Sequence, residues 1–192
     1  MILRAALLHL APIPGDVAHN RRLVETALVA AAGDGAQCII TPEFCVSGFT
    51  FADRIGTEWI REQPDPWMAG FRRRVADLGV TVFLSHPERD ARTGALHNSV
   101  FVIGPDGAIL GTHRKINTLR VGSEAWSTPG DEVAAIEAAP LGRVGVLVCA
   151  DAGFFLPKMP LSILENVELK AATTCWIAFM NAATGLVGAP GV

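Results

Sequence analysis

An α/β fold is predicted by two patterns in this chain. Apolar, β-rich runs alternate with stretches of helical periodicity in its first half, and strand pairs punctuated by turn residues follow. A third observation says where to look for function. Gly145-Val146-Leu147-Val148-Cys149-Ala150-Asp151 is an unbroken apolar strand that runs into a cysteine and then a carboxylate. A strand end opens into the crevice outside the carboxyl edge of a sheet, where open α/β folds bind ligands. The 192 residues are 50% hydrophobic and 18% charged with a formal net charge of -3. That suits one domain, residues 1–192, able to bury a core without disulfide or metal staples, and it argues against disorder.

The first strand is expected within residues 1–12, with Pro12 and Pro14 marking a loop. Asp16 then stands as N-cap to a helix whose apolar positions, Val17, Leu23, Val24, Ala27, Leu28 and Ala31, share helical spacing up to Gly33 and Gly35. Residues 36–41 make a short strand stopped by Pro42, which completes a βαβ unit with a right-handed crossover. Asp65-Pro66 opens a second helix, with Met68, Phe71, Val75 and Leu78 on one face and Gly79 as its stop. Strands follow at 80–85 and 97–103, and the Pro105-Asp106-Gly107 turn returns the chain antiparallel through 108–112. Residues 116–131 read as a long loop, and loops of that length are commonly functional. A last hairpin joins 133–137 to 144–149 across Pro140-Leu141-Gly142.

Several function classes are excluded as expectations. The nearest thing to a basic run, Arg72-Arg73-Arg74, lies inside a helical pattern and reads as a solvated face, so no nucleic-acid partner is expected. The N-terminal apolar stretch is too short to span a bilayer and lacks a signal-cleavage pattern, so the expected protein is cytoplasmic with no membrane partner. Cys38, Cys45, Cys149 and Cys175 show neither CxxC nor zinc-type Cys/His spacing. Reduced thiols, no metal and no cofactor are expected.

Glu43, Lys115 and Cys149 each fall at or just past a strand end. A strand cysteine is most often a small buried hydrophobe, so the case for chemistry rests on its partners. A carboxylate, an ammonium and a thiol in one pocket divide the work of acyl transfer: the glutamate takes the thiol proton, and the lysine favours thiolate and stabilises an oxyanion. A thiol flanked by Lys115 is expected to be partly thiolate near neutral pH, with Cys38 buried and inert.

The blocks Thr41-Pro42-Glu43-Phe44-Cys45-Val46-Ser47-Gly48-Phe49, His113-Arg114-Lys115-Ile116-Asn117 and Gly142-Arg143-Val144-Gly145-Val146-Leu147-Val148-Cys149-Ala150-Asp151 resemble, in order, the three motif blocks of the nitrilase, or carbon-nitrogen hydrolase, superfamily. The resemblance covers about residues 1–155. It implies an α-β-β-α sandwich and a hydrolase of non-peptide carbon-nitrogen bonds (amide, N-carbamoyl or nitrile) in small molecules, working through a cysteine thioester. By the same resemblance Glu43 is the general base, Lys115 the stabilising cation, Cys149 the nucleophile, Glu124 an assisting carboxylate and the Ala150 N–H part of the oxyanion hole.

Two departures qualify it. Where the family commonly has arginine after the cysteine block, this chain has Gly153, which makes a carbamoyl amino acid substrate less expected. From about residue 156 the sequence is atypical, so a shortened or incomplete second sheet is expected, with a helix over 161–172 and a strand over 175–180. Apolar Trp176, Ile177, Phe179 and Met180, with the family's habit of pairing sandwiches, imply a homodimer or higher homo-oligomer. The alternative is a non-catalytic, nitrilase-like binding or oligomerisation protein.

Overall fold

Asp16 and Asp65 begin the two long helices. In the computed structural model, which describes residues 3–133 and 135–151 and the backbone of 169–173 and 180–181, the Asp16 carboxylate accepts from His19 N at 3.0 Å. It caps α1 (Val17–Gly33), which buries Val24 and Leu28. A helix that the periodicity did not announce, α2 (Phe51–Ile55), follows. It is only five residues long and its left-handed N-cap, Thr50, makes no capping side-chain bond, so no sequence signal marks it. Asp65 accepts from Met68 N at 2.8 Å and starts α3 (Pro66–Leu78), with Met68, Phe71 and Val75 inside. Gly79 ends it at φ 63°, a left-handed position that suits glycine.

Five strands make the first sheet: β1 (Ala5–Leu7), β2 (Cys38–Ile40), β3 (Thr81–Arg89), β4 (Leu96–Ile103) and β5 (Ile109–Arg114), adjacent in that order. The first three are parallel, as the βαβ pattern requires, and the rest antiparallel. Strand alternation sorts the core into two layers. Ile39, Val82, Leu84, Phe101 and Ile103 meet Val24, Leu28, Met68, Phe71 and Val75 of the helices. Cys38, Ile40, Phe83, Val100 and Val102 face the opposite way. The first strand is shorter than the expected 1–12 run, and β3 runs past the expected stop at residue 85. Proline does not stop β3, because Thr81 and Phe83 turn their backbone groups to the β2 side, through Thr81 N to Gln37 O and Phe83 O to Thr41 N. Pro87, in phase with them, therefore turns its nitrogen away from β4 at a point beyond the end of β2.

The second sheet orders β6 (Ala135–Glu137), β7 (Arg143–Val148), β8 (Leu169–Thr173) and β9 (Met180–Asn181). Ile136, Val144, Val146 and Val148 close on the outward face of the first sheet; fully burying a side chain of this size contributes about 1.5–3 kcal/mol. The sheets pack tightly at Gly111, where a Cβ would come within 2.7 Å of Ile136 Cδ1. One expectation is corrected: residues 169–172, the end of the helix expected over 161–172, lie in β8, parallel to β7 from Val144↔Leu169 to Val148↔Thr173. Helix propensity is a weak prior beside an open sheet edge that supplies a partner for each backbone group. The remainder of that helix, residues 175–179 of the strand expected over 175–180, and the completeness of the second sheet lie outside the described residues; Met180 begins β9. No described helix is long and apolar enough to cross a membrane.

Candidate active site

The loop after β2 is tied down by β3. Thr41 Oγ1 accepts from Ser85 N at 2.9 Å and donates to Phe83 O at 3.1 Å, while Phe44 N, at a left-handed residue with φ 57°, donates to Ser85 Oγ at 3.1 Å. Glu43 is thereby held inward, 3% exposed. Lys115 directly follows β5; its backbone N donates to Asn98 O at 2.8 Å and its carbonyl accepts from Gly130 N at 2.8 Å. Glu124 sits on a 3-10 turn, Gly122–Glu124, inside the long loop, and its Oε2 accepts from Leu119 N at 3.1 Å.

These three side chains meet. Lys115 Nζ donates to Glu43 Oε1 at 2.9 Å and to Glu124 Oε1 at 2.6 Å, with all three groups almost wholly buried. Asn98, which sequence reading did not single out, donates its Nδ2 to the same two oxygens at 2.8 Å each. Glu43 Oε2 is left without a hydrogen-bond partner. Burial raises Glu43 above its ordinary carboxylate value, although Lys115 and Asn98 act the other way.

Cys149 follows β7 in a left-handed conformation, φ 47°, at the turn where the chain becomes helical at Ala150 and Asp151. Such a backbone costs about 1–3 kcal/mol for a residue with a Cβ, and it turns the thiol out of the strand. Cys149 is partly exposed. The expectation of a resting thiolate is corrected: desolvation first, then the Glu43 charge, hold the thiol above its ordinary value, outweighing Lys115 and the Ala150 N–H. Glu43 is thus near enough to Cys149 for its charge to act on the thiol, and its Oε2 has no hydrogen-bond partner. Cys38 and Cys45, both buried, are pushed up to about 12 by burial.

Asp151 is the second residue whose part the sequence did not disclose. Its Oδ1 accepts from Asn117 N at 2.7 Å, Ile116 N at 3.2 Å and Asn117 Nδ2 at 3.2 Å, and its Oδ2 from His113 Nε2 at 3.0 Å and Val148 N at 3.2 Å. The carboxylate thus ties the cysteine elbow to both sides of Lys115. Burial by itself would raise Asp151, but the bonds from His113, Asn117 and Val148 prevail and lower it. A lowered carboxylate contributes stability that is present above the unfolded value and lost as pH falls through the folded one. Asp151→Asn, which can no longer accept on both sides, is expected to lose about 2–3 kcal/mol at pH 7. The difference should shrink below about pH 3.5 in urea unfolding; an equal difference at both pH values would contradict the ionised brace.

The neighbourhood is aromatic: Phe44 packs against Phe49, Phe51 and Trp126 with ring centroids 4.8, 6.4 and 6.4 Å away. An open cavity of about 650 Å³ between β1 and α1 shares none of these residues and is lined by no cysteine, serine or threonine. Among the described residues, no group of three His, Cys, Asp or Glu side chains could hold a metal ion.

Comparison with known proteins identifies the family and the fold. The family described as carbon-nitrogen hydrolase matches residues 4–177, further than the motif resemblance reached. The omega-amidase NIT2 of Danio rerio is 29% identical over 160 residues, 77% of this chain and 53% of that protein. A nitrilase of Pyrococcus abyssi is 30% identical over 141 residues, 72% of this chain and 52% of that one. The chain therefore spans about half the length of these relatives. Among solved structures, an amidase from Nesterenkonia sp. AN1 superposes with a TM-score of 0.74 at 23% identity, covering 90% of this chain and 67% of that one. Saccharomyces cerevisiae Nit3, a nitrilase superfamily member, gives 0.72 at 21%, covering 95% and 66%. A variant of the Nesterenkonia amidase, with a TM-score of 0.73 at 22% identity over 90% of this chain and 64% of its own, carries the acetamide moiety of fluoroacetamide covalently at its active-site cysteine.

Proposed function

The chain belongs to the carbon-nitrogen hydrolase family, and we propose that it hydrolyses a non-peptide carbon-nitrogen bond of a small amide, N-carbamoyl compound or nitrile through a thioester on Cys149. The observation that carries this reading is the free, buried Oε2 of Glu43, whose other oxygen is fixed by Lys115 and Asn98, beside a thiol held protonated on a strained elbow.

The steps follow from the donors and acceptors. Glu43 Oε2 takes the Cys149 proton as the sulfur attacks the carbonyl carbon; the C–S bond forms and the carbonyl π pair moves to oxygen. Lys115 has three N–H bonds, two of them given to Glu43 and Glu124, so the third is left for that oxyanion, together with the Ala150 N–H at the unsatisfied start of a helical turn. Collapse breaks the C–N bond, and the leaving nitrogen takes the proton from Glu43. Water then gives a proton to Glu43 as its oxygen bonds to the thioester carbon; the C–S bond breaks, the acid leaves, and the proton on Glu43 passes to the sulfur. A nitrile enters as a thioimidate and joins the same route after water replaces its nitrogen as ammonia. A carboxylate raised by burial accepts and returns protons better than an ordinary one.

The test is a panel of small amides, N-carbamoyl compounds and nitriles with ammonia detection, run beside labelling by fluoroacetamide. Ammonia release together with an acetamide adduct on Cys149 is expected. A folded protein that releases none and takes no adduct at Cys149 would favour a non-catalytic binding role.

A further inference from the structure

Both carboxylates at the site are held by the same pair of donors. Lys115 is the charged one; Asn98 is the neutral one, 1% exposed on β4. A side-chain amide nitrogen has two protons, and Asn98 uses one on Glu43 Oε1 and one on Glu124 Oε1, each at 2.8 Å. The assignment of Nδ2 to this position follows from chemistry, since both partners accept only. The backbone of Asn98 also receives Lys115 N at 2.8 Å, so one residue touches all three charged members of the cluster. Oxygen by oxygen, Glu124 is fully engaged, its Oε2 by Leu119 N, whereas Glu43 keeps Oε2 free.

We propose, resting on the hydrolase reading above, that Asn98 is a positioning residue: its two amide protons pin one oxygen of each carboxylate and leave Glu43 Oε2 as the atom that takes the Cys149 proton. The charged and titratable groups facing Glu43 are Lys115, Glu124 and Cys149. Lys115 alone cannot set the orientation, because an ammonium is a rotatable point donor without a fixed fork. The planar amide of Asn98 can. A neutral donor on an anion also favours the anion, so its loss moves the ionisation of Glu43 upward.

The readout is the pH dependence of Cys149 alkylation by iodoacetamide in the full chain, followed per cysteine by mass spectrometry, with buried Cys38 and Cys45 as unreactive references. It needs no turnover, which separates this proposal from the function it rests on. Asn98→Ala should move the acid limb of the Cys149 rate upward by about one to two pH units, leaving it slowed about tenfold or more at pH 5 and within about threefold at pH 8. Asn98→Ser, with a single hydroxyl proton for two acceptors, should fall between, and it decides the matter if the alanine variant does not fold. The acid limb of ammonia release should move by the same amount. A uniform fall at every pH, or an unmoved limb, overturns the positioning role while the hydrolase reading stands. A wild-type Cys149 that alkylates no faster than the buried thiols overturns both.

Discussion

Cys149→Ala is expected to bring ammonia release to the level of buffer, a fall on the order of 10⁵-fold or more if this nucleophile resembles others that act covalently. Glu43→Gln should lose about 10²–10⁴-fold, the range of a positioned general base, while remaining folded. Glutamine keeps an oxygen for Lys115 and Asn98 but presents an amide where Oε2 stood, and an amide nitrogen cannot take the thiol proton. The two variants therefore separate by their chemistry. Cys149→Ala has no acyl intermediate at all; Glu43→Gln retains a thiol, raised by burial, that must ionise without help. Its residual rate should climb with pH toward the alkaline range, whereas the wild-type rate should rise as Glu43 ionises, with its acid limb above the ordinary 4.5 because burial raises that group. Rate measurement on the best substrate of the panel, from pH 4 to 9, decides it. Substantial turnover by Cys149→Ala would remove the thioester route.

Legibility in the sequence followed the range of each signal. Capping and periodicity act within a few residues, so Asp16 and Asp65 could be read as helix starts, and the Pro105-Asp106-Gly107 and Pro140-Leu141-Gly142 turns as hairpins. Glu43, Lys115 and Cys149 could be singled out because each stands just past a strand end in an ordered motif, and the structure brings Glu43 and Lys115 into contact. Asn98 was not. It looks like an ordinary position inside an alternating strand, and only the pairing of β4 with β5, Ser99 opposite Arg114, puts it beside the residue after β5. Asp151 stands in its motif without a visible role, since the four residues that give it five hydrogen bonds come from strand ends and a loop brought together by two sheets. The thiol state was misjudged for a related reason: adjacency to Lys115 suggested a thiolate, but the lysine charge is already shared between two buried carboxylates, and the desolvation that outweighs it is a property of packing. Residues 169–172 fall within the expected helix, while the edge of β7 that claims them lies elsewhere in the chain.

Lys115→Met gives the largest expected loss of stability. Methionine fills much the same volume without charge, so the packing term stays small, and what remains is two buried carboxylates, Glu43 and Glu124, whose Oε1 atoms share Asn98 Nδ2 as their donor. Removing one partner of a buried ion pair costs about 3–5 kcal/mol, because the other charges stay in a low-dielectric setting uncompensated. Burial already raises Glu43 in the intact protein, and loss of the ammonium raises it further. A carboxylate whose folded value exceeds its unfolded one contributes stability that is present below the unfolded value and lost as pH rises through the folded one. The deficit of Lys115→Met against wild type should therefore be full at pH 7 and narrow toward pH 4.5, as protonation removes the repulsion. Lys115 itself is raised above 10.5 in the folded protein, so its own titration does not enter that window. Urea unfolding of both proteins at the two pH values measures the effect. A deficit under about 1 kcal/mol, or one that is the same at both pH values, would mean that the carboxylates are not held as an ionised pair around the lysine. Glu43 could not then be the resting base that the proposed chemistry requires.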